Sequence, residues 1–530
     1  MFNLAWTDPK YLAQEPLKGL VSKGRNYSED DKFVLLNEHS KLIDKVIPTH
    51  AELWKTGQIE ITTTPYAHPI LPLIFDTNLA AVGDIGAELP TNRFNKPTDA
   101  AIQVEKGLDL AEKLLGQRPT GMWPAEGAVS QEVLGMFAKE GVKWIATGEH
   151  VLSKSLDIPT FKRNTDGIVT NPEVLYTPWY GQLNRQDDVA IFFRDLSISD
   201  QVGFTYSGMS PEMAVADMMK ALEAAREVST TMDRPLVVSI VLDGENAWEH
   251  YQNDGIDFLR EMYQTFSDTK WLNTVTPTAY FDLYGEQIDK LDNVFPASWF
   301  QPNFATWIGE TEEAYAWDYL QKTRAFYDKA NISGNYSTEE LATAFDYMLL
   351  AEGSDWFWWY GSDQSSGNDD YFGSAFRNLL KNVYTSLGEE PPAYLDIPII
   401  APSAQLFDKP SESVLNENQA LLVSGEKNNS IWSDAGVVKA DGKVSEIQYR
   451  FSKDFLYLSI KSTSTSMQAS NPWSLEDLDI YIESPSKTKL RRSSLPFKDN
   501  ETSAQEFLGI EATQVIFHKG DLLKNSNYFT

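Results

Sequence analysis

From about residue 59 the chain alternates short β-rich runs with helical stretches, and this alternation limits its fold more than any other feature. The runs are IEITTTP (59–65), TGMWPAE (120–126), VKWIATGE (142–149), VAIFFRDLS (189–197), VVSIVLDGE (237–245) and NTVTP (273–277). Between them lie DAAIQVEKGLDLAEKLLG (99–116) and PEMAVADMMKALEAAREV (211–228), with apolar residues at i, i+3 and i+4, the spacing of an amphipathic helix. Strand–helix–strand order predicts an α/β fold with a parallel sheet covered by helices. If the sheet curls into a barrel, reacting groups belong on the loops after the strands' C-terminal ends. Five of the six runs place an ionisable side chain there.

The pattern changes twice further on. EEAYAWDYLQKTRAFYDKA and STEELATAFDYMLLAEGSDWFWWYG, within 293–400, read as long amphipathic helices of a helical bundle. Beyond EEPPAYLDIPIIAP (389–402), VSEIQYRFSKDFLYLSIKS (444–462) and DLDIYIES (477–484) alternate with period two, which predicts a C-terminal β-sandwich over 401–530. The expected division is therefore an α/β barrel over 1–292, a bundle over 293–400 and the sandwich. A length of 530 residues fits two or three domains.

Charge and composition narrow the partners. A formal net charge of -31 argues against nucleic acid and anionic membranes, which select basic surfaces. No apolar run approaches the ~20 residues of a membrane helix. The absence of cysteine removes disulfides, thiol nucleophiles and Cys-zinc sites and leaves the compartment open between secreted and cytoplasmic. MFNLAWTDP shows neither a basic n-region nor a cleavage site, so no signal peptide is visible. The six histidines (39, 50, 68, 150, 250, 518) have no metal-ligand spacing, and no metal is predicted. No cofactor is required; the loop SDQSSGNDDYFG (362–373) has oxygen ligands enough for calcium, but its spacing is not that of an EF-hand.

Among strand-end carboxylates, Glu149 and Asp243 stand out, each following an apolar run. Two such groups facing one glycosidic bond divide the labour of its cleavage: one attacks the anomeric carbon, the other protonates the leaving oxygen. They serve equally well as structural ion-pair partners, and spacing alone leaves both readings open. Glu126 in GMWPAEG is either a hydroxyl ligand or a helix cap. Arg194 and Asp195 read as a buried pair or a substrate contact, and His68, between prolines, as a sugar ligand or a structural histidine. Trp123, Trp248 and Trp307 offer flat faces for sugar rings or ordinary core. Glu245, beside Asp243, is a further contact candidate. In the C-terminal region Trp432 and Trp473 are candidates of the same ambiguous kind.

The blocks TTTPYAHPILPL, GMWPAEGAVS, VKWIATGE, FFRDLSISDQVGFTY, VLDGENAWEHYQNDG and SWFQPNFATWIGE resemble, in order, those of glycoside hydrolase family 57, and LDGENAWE is most similar to its amylopullulanase branch. The likeness runs over residues 1–395. It implies a retaining, endo-acting α-glucan hydrolase, with Glu149 as nucleophile and Asp243 as acid/base. It also implies sugar contacts at His68, Trp123, Glu126, Arg194, Asp195 and Trp307. The implied partner is an α-glucan polysaccharide or maltooligosaccharide. The alternatives are a 4-α-glucanotransferase or glucan branching enzyme of the same family, and a non-catalytic glucan-binding fragment. The resemblance further implies a (β/α)7-type incomplete barrel over 1–292, that Asp243 meets its substrate protonated in a partly desolvated, carboxylate-rich pocket, and that the two carboxyls stand about 5–5.5 Å apart. One departure is plain: the family's barrel opens on a His-Gln-Pro strand, and HQP occurs nowhere here. The chain is thus expected to lack the first of seven strands.

Overall fold

A computed structural model describes residues 2–165, 167–182, 188–244 and 248–400, together with the strand segments 436–439, 444–451, 456–462, 478–483, 504–507 and 510–517. The chain forms two compact units, Met1–Ile400 and Ala401–Thr530.

The first unit is built on a mixed, mainly parallel five-stranded sheet. Its strands are β1 (Gly121–Met122), β2 (Trp144–Gly148), β3 (Trp179–Gly181), β4 (Val189–Arg194) and β5 (Asp289–Leu291), in the order β1-β2-β4-β3-β5. β1, β2 and β4 run parallel, whereas β3 is antiparallel to β4. Every residue of β2 and β4 is buried, as expected of parallel strands covered on both faces. Ile145, Val189, Ile191 and Phe193 point into the main core; Trp144, Ala146, Ala190 and Phe192 point the other way, against Tyr280 of the helix Pro277–Tyr284.

Three of the six expected strands are not regular strands. Residues 59–65 contribute one parallel bridge, Thr63 to Met122, and residues 237–245 another, Ser239 to Arg194. In 237–243 the partners are largely not a strand ladder. The Val237 N–H donates to the Tyr176 carbonyl, the Val241 N–H donates to Ser199 Oγ, and the Val241 carbonyl accepts from Arg194 Nε at 2.6 Å. Residues 273–277 instead lead into a helix, with Thr276 as its cap and Pro277 at its first position, a proline-compatible start. The two short strands β3 and β5 carry too little periodic sequence to announce themselves.

The helix Pro97–Leu115 starts on Pro97 and ends at Gly116 with φ of 78°, the left-handed stop typical of a helix C-terminus. It buries Ala100, Gln103, Val104, Gly107, Leu108 and Ala111 along one face. A Cβ on Gly107 would stand 2.4 Å from the Thr64 carbonyl oxygen, so the helix approaches the 64–66 segment as only glycine permits. Helices Thr311–Ser333, Thr338–Ala351 and Asp369–Thr385 occupy the stretch read as helical. They share one continuous core with the sheet, from Ile70 to Ile399, and so do not separate from it at residue 292. A buried pair links Arg324 to Asp99 through Nε at 2.6 Å and Nη2 at 3.0 Å. Such a pair contributes little net stability, but leaving one partner alone costs ~3–5 kcal/mol.

The second unit contains two three-stranded antiparallel sheets. One is the meander Gly436–Lys439, Val444–Phe451, Leu456–Ser462; the other pairs Ile510–Phe517 with both Ala504–Phe507 and Leu478–Glu483. Trp432 and Trp473 lie outside the described residues.

Candidate active site

The parallel register gathers the candidate residues at one end of the sheet. Gly148 of β2 pairs with Arg194 of β4, and Arg194 bridges Ser239. Glu149 and Asp195 each follow the paired residue directly, and Asp243 follows four residues after Ser239. Two strand spacings, about 10 Å of backbone, separate the first and last of these chains.

Glu149 is the first residue of the helix Glu149–Ser155 and is 5% exposed. Its Oε2 accepts from Arg163 Nη2 at 2.5 Å and from the Leu196 N–H at 2.9 Å. Burial raises its carboxyl above the ordinary carboxylate range; Arg163 and the Leu196 N–H oppose that rise without cancelling it. Asp195 is wholly buried, caps the helix Leu196–Asp200 through the Ile198 N–H, and accepts from Tyr176 Oη at 2.7 Å and Arg163 Nη1 at 3.0 Å. Burial followed by the Asp195 charge lifts the Tyr176 phenol well above its usual value, so it stays a donor. Burial, then Arg194, lowers the neighbouring His150.

A wall of indoles flanks this group. The Arg194 guanidinium stands 4.9 Å from the Trp299 ring centre, within cation–π range, while its Nη2 bonds Asp200 at 2.6 Å. Trp299 meets Trp123 edge to face at 5.2 Å and donates from Nε1 to Glu126 Oε2 at 3.3 Å. Glu126 itself adopts φ of 55°, an uncommon left-handed conformation outside glycine, and its carbonyl accepts from the Trp299 N–H at 3.0 Å. Glu126 thus serves the Trp299 loop through both its carbonyl and its side chain.

The remaining candidates have other partners. His68, at φ of 56°, bonds Ser354 Oγ through Nδ1 at 2.8 Å. Trp307 is 1% exposed, packed on Phe300 and Trp358, and presents no open ring face in this structure. Trp248 donates to the Gly244 carbonyl and packs on Tyr251. With Leu236, Val238, Ile240 and Leu242 it lines an apolar cavity of about 1250 Å³ that contains neither Glu149 nor Asp243. Asp243 is exposed; of the two carboxyls Glu149 is the buried one. Glu245 lies outside the described residues. In the 362–373 loop the Asp369 carboxyl accepts from Ser366 N and Oγ at 2.9 and 2.6 Å. Among the described residues no three His, Cys, Asp or Glu groups cluster as a metal site, and no helix is long and apolar enough to cross a membrane.

Sequence reasoning missed Arg163, Tyr176 and Trp299. Arg163 sits in the polar stretch FKRNTDG, which has no periodicity to mark it. Trp299 was visible in SWFQPNF, but nothing there distinguished it from Trp307.

Residues 1–291 match the model of glycosyl hydrolase family 57, more than half of the chain, and the chain belongs to that family. Its fold is similar to a family-57 branching enzyme of the hyperthermophilic archaeon Thermococcus kodakaraensis, with TM-score 0.51, 15% identity, and coverage of 69% of this chain and 73% of that one. Similarity extends to the α-amylase AmyC of Thermotoga maritima (TM-score 0.49, 18% identity, 74% and 80% covered). It also extends to a family-57 branching enzyme of Pyrococcus horikoshii (0.49, 16%, 74% and 83%). At these identities the likeness speaks to fold alone. No curated protein sequence matches the chain.

Proposed function

We propose that the protein is a retaining, endo-acting α-glucan hydrolase of amylopullulanase or α-amylase type. The observation that carries this reading is the Glu149 carboxyl, buried at the end of a parallel strand and anchored through one oxygen, in a member of family 57. Glu149 attacks the anomeric carbon as the glycosidic C–O bond breaks, and Asp243 gives its proton to the departing oxygen. Asp243 then takes a proton from water, which attacks the same carbon and frees Glu149. In this reading the bound glucan chain contributes to the desolvation that keeps Asp243 protonated. Trp123, Trp299 and Arg194 form the wall along which sugar rings lie.

Transfer is the second reading, favoured by the fold shared with a branching enzyme; a sugar hydroxyl then replaces water. Incubation with maltoheptaose and with pullulan separates the two. Hydrolysis yields shorter products of retained α configuration in the first proton-NMR scans. Longer or branched products identify a transferase, and inverted products contradict both readings.

A further inference from the structure

We propose that Arg163 is a positioning residue that fixes Oε2 of Glu149 and leaves Oε1 as the attacking oxygen. This rests on the reading of Glu149 as nucleophile. Arg163 Nη2 and the Leu196 N–H converge on the same Glu149 oxygen, and every contact described for this carboxyl falls on Oε2. The guanidinium is itself held from three sides. Nη1 bonds Asp195 Oδ2 at 3.0 Å and the Gly167 carbonyl at 3.2 Å, and the Arg163 backbone bridges Val169. Asp195 is fixed in turn by Tyr176 Oη and the Ile198 N–H. Neither Glu149 nor Arg163 can rotate without breaking a buried, charge-assisted bond.

The consequence is chemical. As the ester forms, a new C–O bond joins Oε1 to the anomeric carbon, the glycosidic C–O bond breaks, and Oε2 becomes the ester carbonyl oxygen still facing its two donors. In the second step water attacks the anomeric carbon and the Oε1–carbon bond breaks, its electron pair returning to a carboxylate. An arginine on Oε2 stabilises that returning charge, so its largest effect falls on breakdown of the intermediate. It also keeps Glu149 ionised to lower pH than burial alone permits. Among the described residues the other charged or titrating groups facing Glu149 are Asp195, beyond it Tyr176, and, in the proposed mechanism, Asp243 across the cleaved bond; Arg194 with Asp200 and His150 stand around the next strand end.

Arg163→Ala and Arg163→Lys, checked by thermal melt, are to be assayed on an aryl maltooligoside with a good leaving group. The expected result for Arg163→Ala is a kcat reduced about 100-fold, a KM that falls with it as intermediate accumulates, and an acidic limb displaced to higher pH. Arg163→Lys should keep the limb near its original position, and free guanidinium should restore part of the alanine variant's kcat. Equal losses in kcat and kcat/KM with an unmoved limb would reduce Arg163 to a structural part and overturn the proposal. If the alanine variant fails to fold, a lysine variant with wild-type kcat overturns it too. Glu149→Gln is the control: if it stays active, the nucleophile reading fails, independently of Arg163.

Discussion

Glu313 shows how far burial alone moves a carboxyl in this molecule. It is fully buried, and desolvation pushes its carboxyl up to about 8, with the Glu310 and Asp363 charges adding to the rise. Its Oε2 accepts from the Glu310 N–H at 3.0 Å, while Oε1 has no partner among the described residues. Glu149 is also buried and raised, yet it has a cation and a backbone N–H on one oxygen. That difference separates a carboxyl that favours its proton from one kept available as a base or nucleophile. The sign of the linkage for Glu313 follows from its raised value. The folded state holds the proton more tightly than the unfolded chain, so stability is fully present below about 4.5 and is lost as pH rises toward 8. Glu313→Gln keeps the acceptor for Glu310 and removes the titration. Its stability should gain on the wild type's as pH is raised from 5 to 8, by on the order of a few kcal/mol at most, read as a rising difference in melting temperature. Parallel melting-versus-pH curves for the two proteins would show that Glu313 ionises freely.

At the scale of elements, the site depends on how closely the loop bearing Trp299 approaches β2. A Cβ at Gly148 would lie 2.0 Å from the Trp299 carbonyl oxygen and 2.7 Å from its carbon, and backbone cannot swing aside as a flexible side chain does. Gly148→Ala is therefore expected to cost at least ~1–3 kcal/mol of stability. The same displacement pulls Trp299 from Arg194 and Glu126, so kcat/KM should fall more steeply than the folded fraction. A thermal melt and initial rates measured together check this; an unchanged melt would mean the contact is looser than the structure places it. These elements also show what sequence made legible. Within VKWIATGE and VAIFFRDLS the strands Trp144–Gly148 and Val189–Arg194 are wholly buried, their apolar runs continuous because both faces are covered. VVSIVLDGE has the same composition, yet much of its backbone bonding goes to Arg194 and Ser199 side chains. Such a partner choice is tertiary and leaves no periodic trace. For the same reason Glu149 was identifiable at its strand tip, whereas Arg163, reaching in from an unpatterned loop, was not.

Over the whole molecule, the period of the apolar pattern changes near residue 400, and the contacts divide at Ile400. The helices after residue 292 bury Trp317, Leu320 and Met348 in the core that also holds Ile145 and Ile191. The acidic balance of -31 suits an uncharged polysaccharide that needs no electrostatic steering. In the proposed reading, sheet, loops and helices together present one oxygen of Glu149, Oε1, as the attacking atom. Incubation with a 5-fluoro-α-glucosyl fluoride, followed by proteolysis and mass spectrometry, reads that oxygen directly. A fluoroglucosyl adduct on the peptide carrying Glu149, absent from Glu149→Gln, is the predicted result; an adduct on another carboxylate, in an enzyme that turns over α-glucan, would contradict the account.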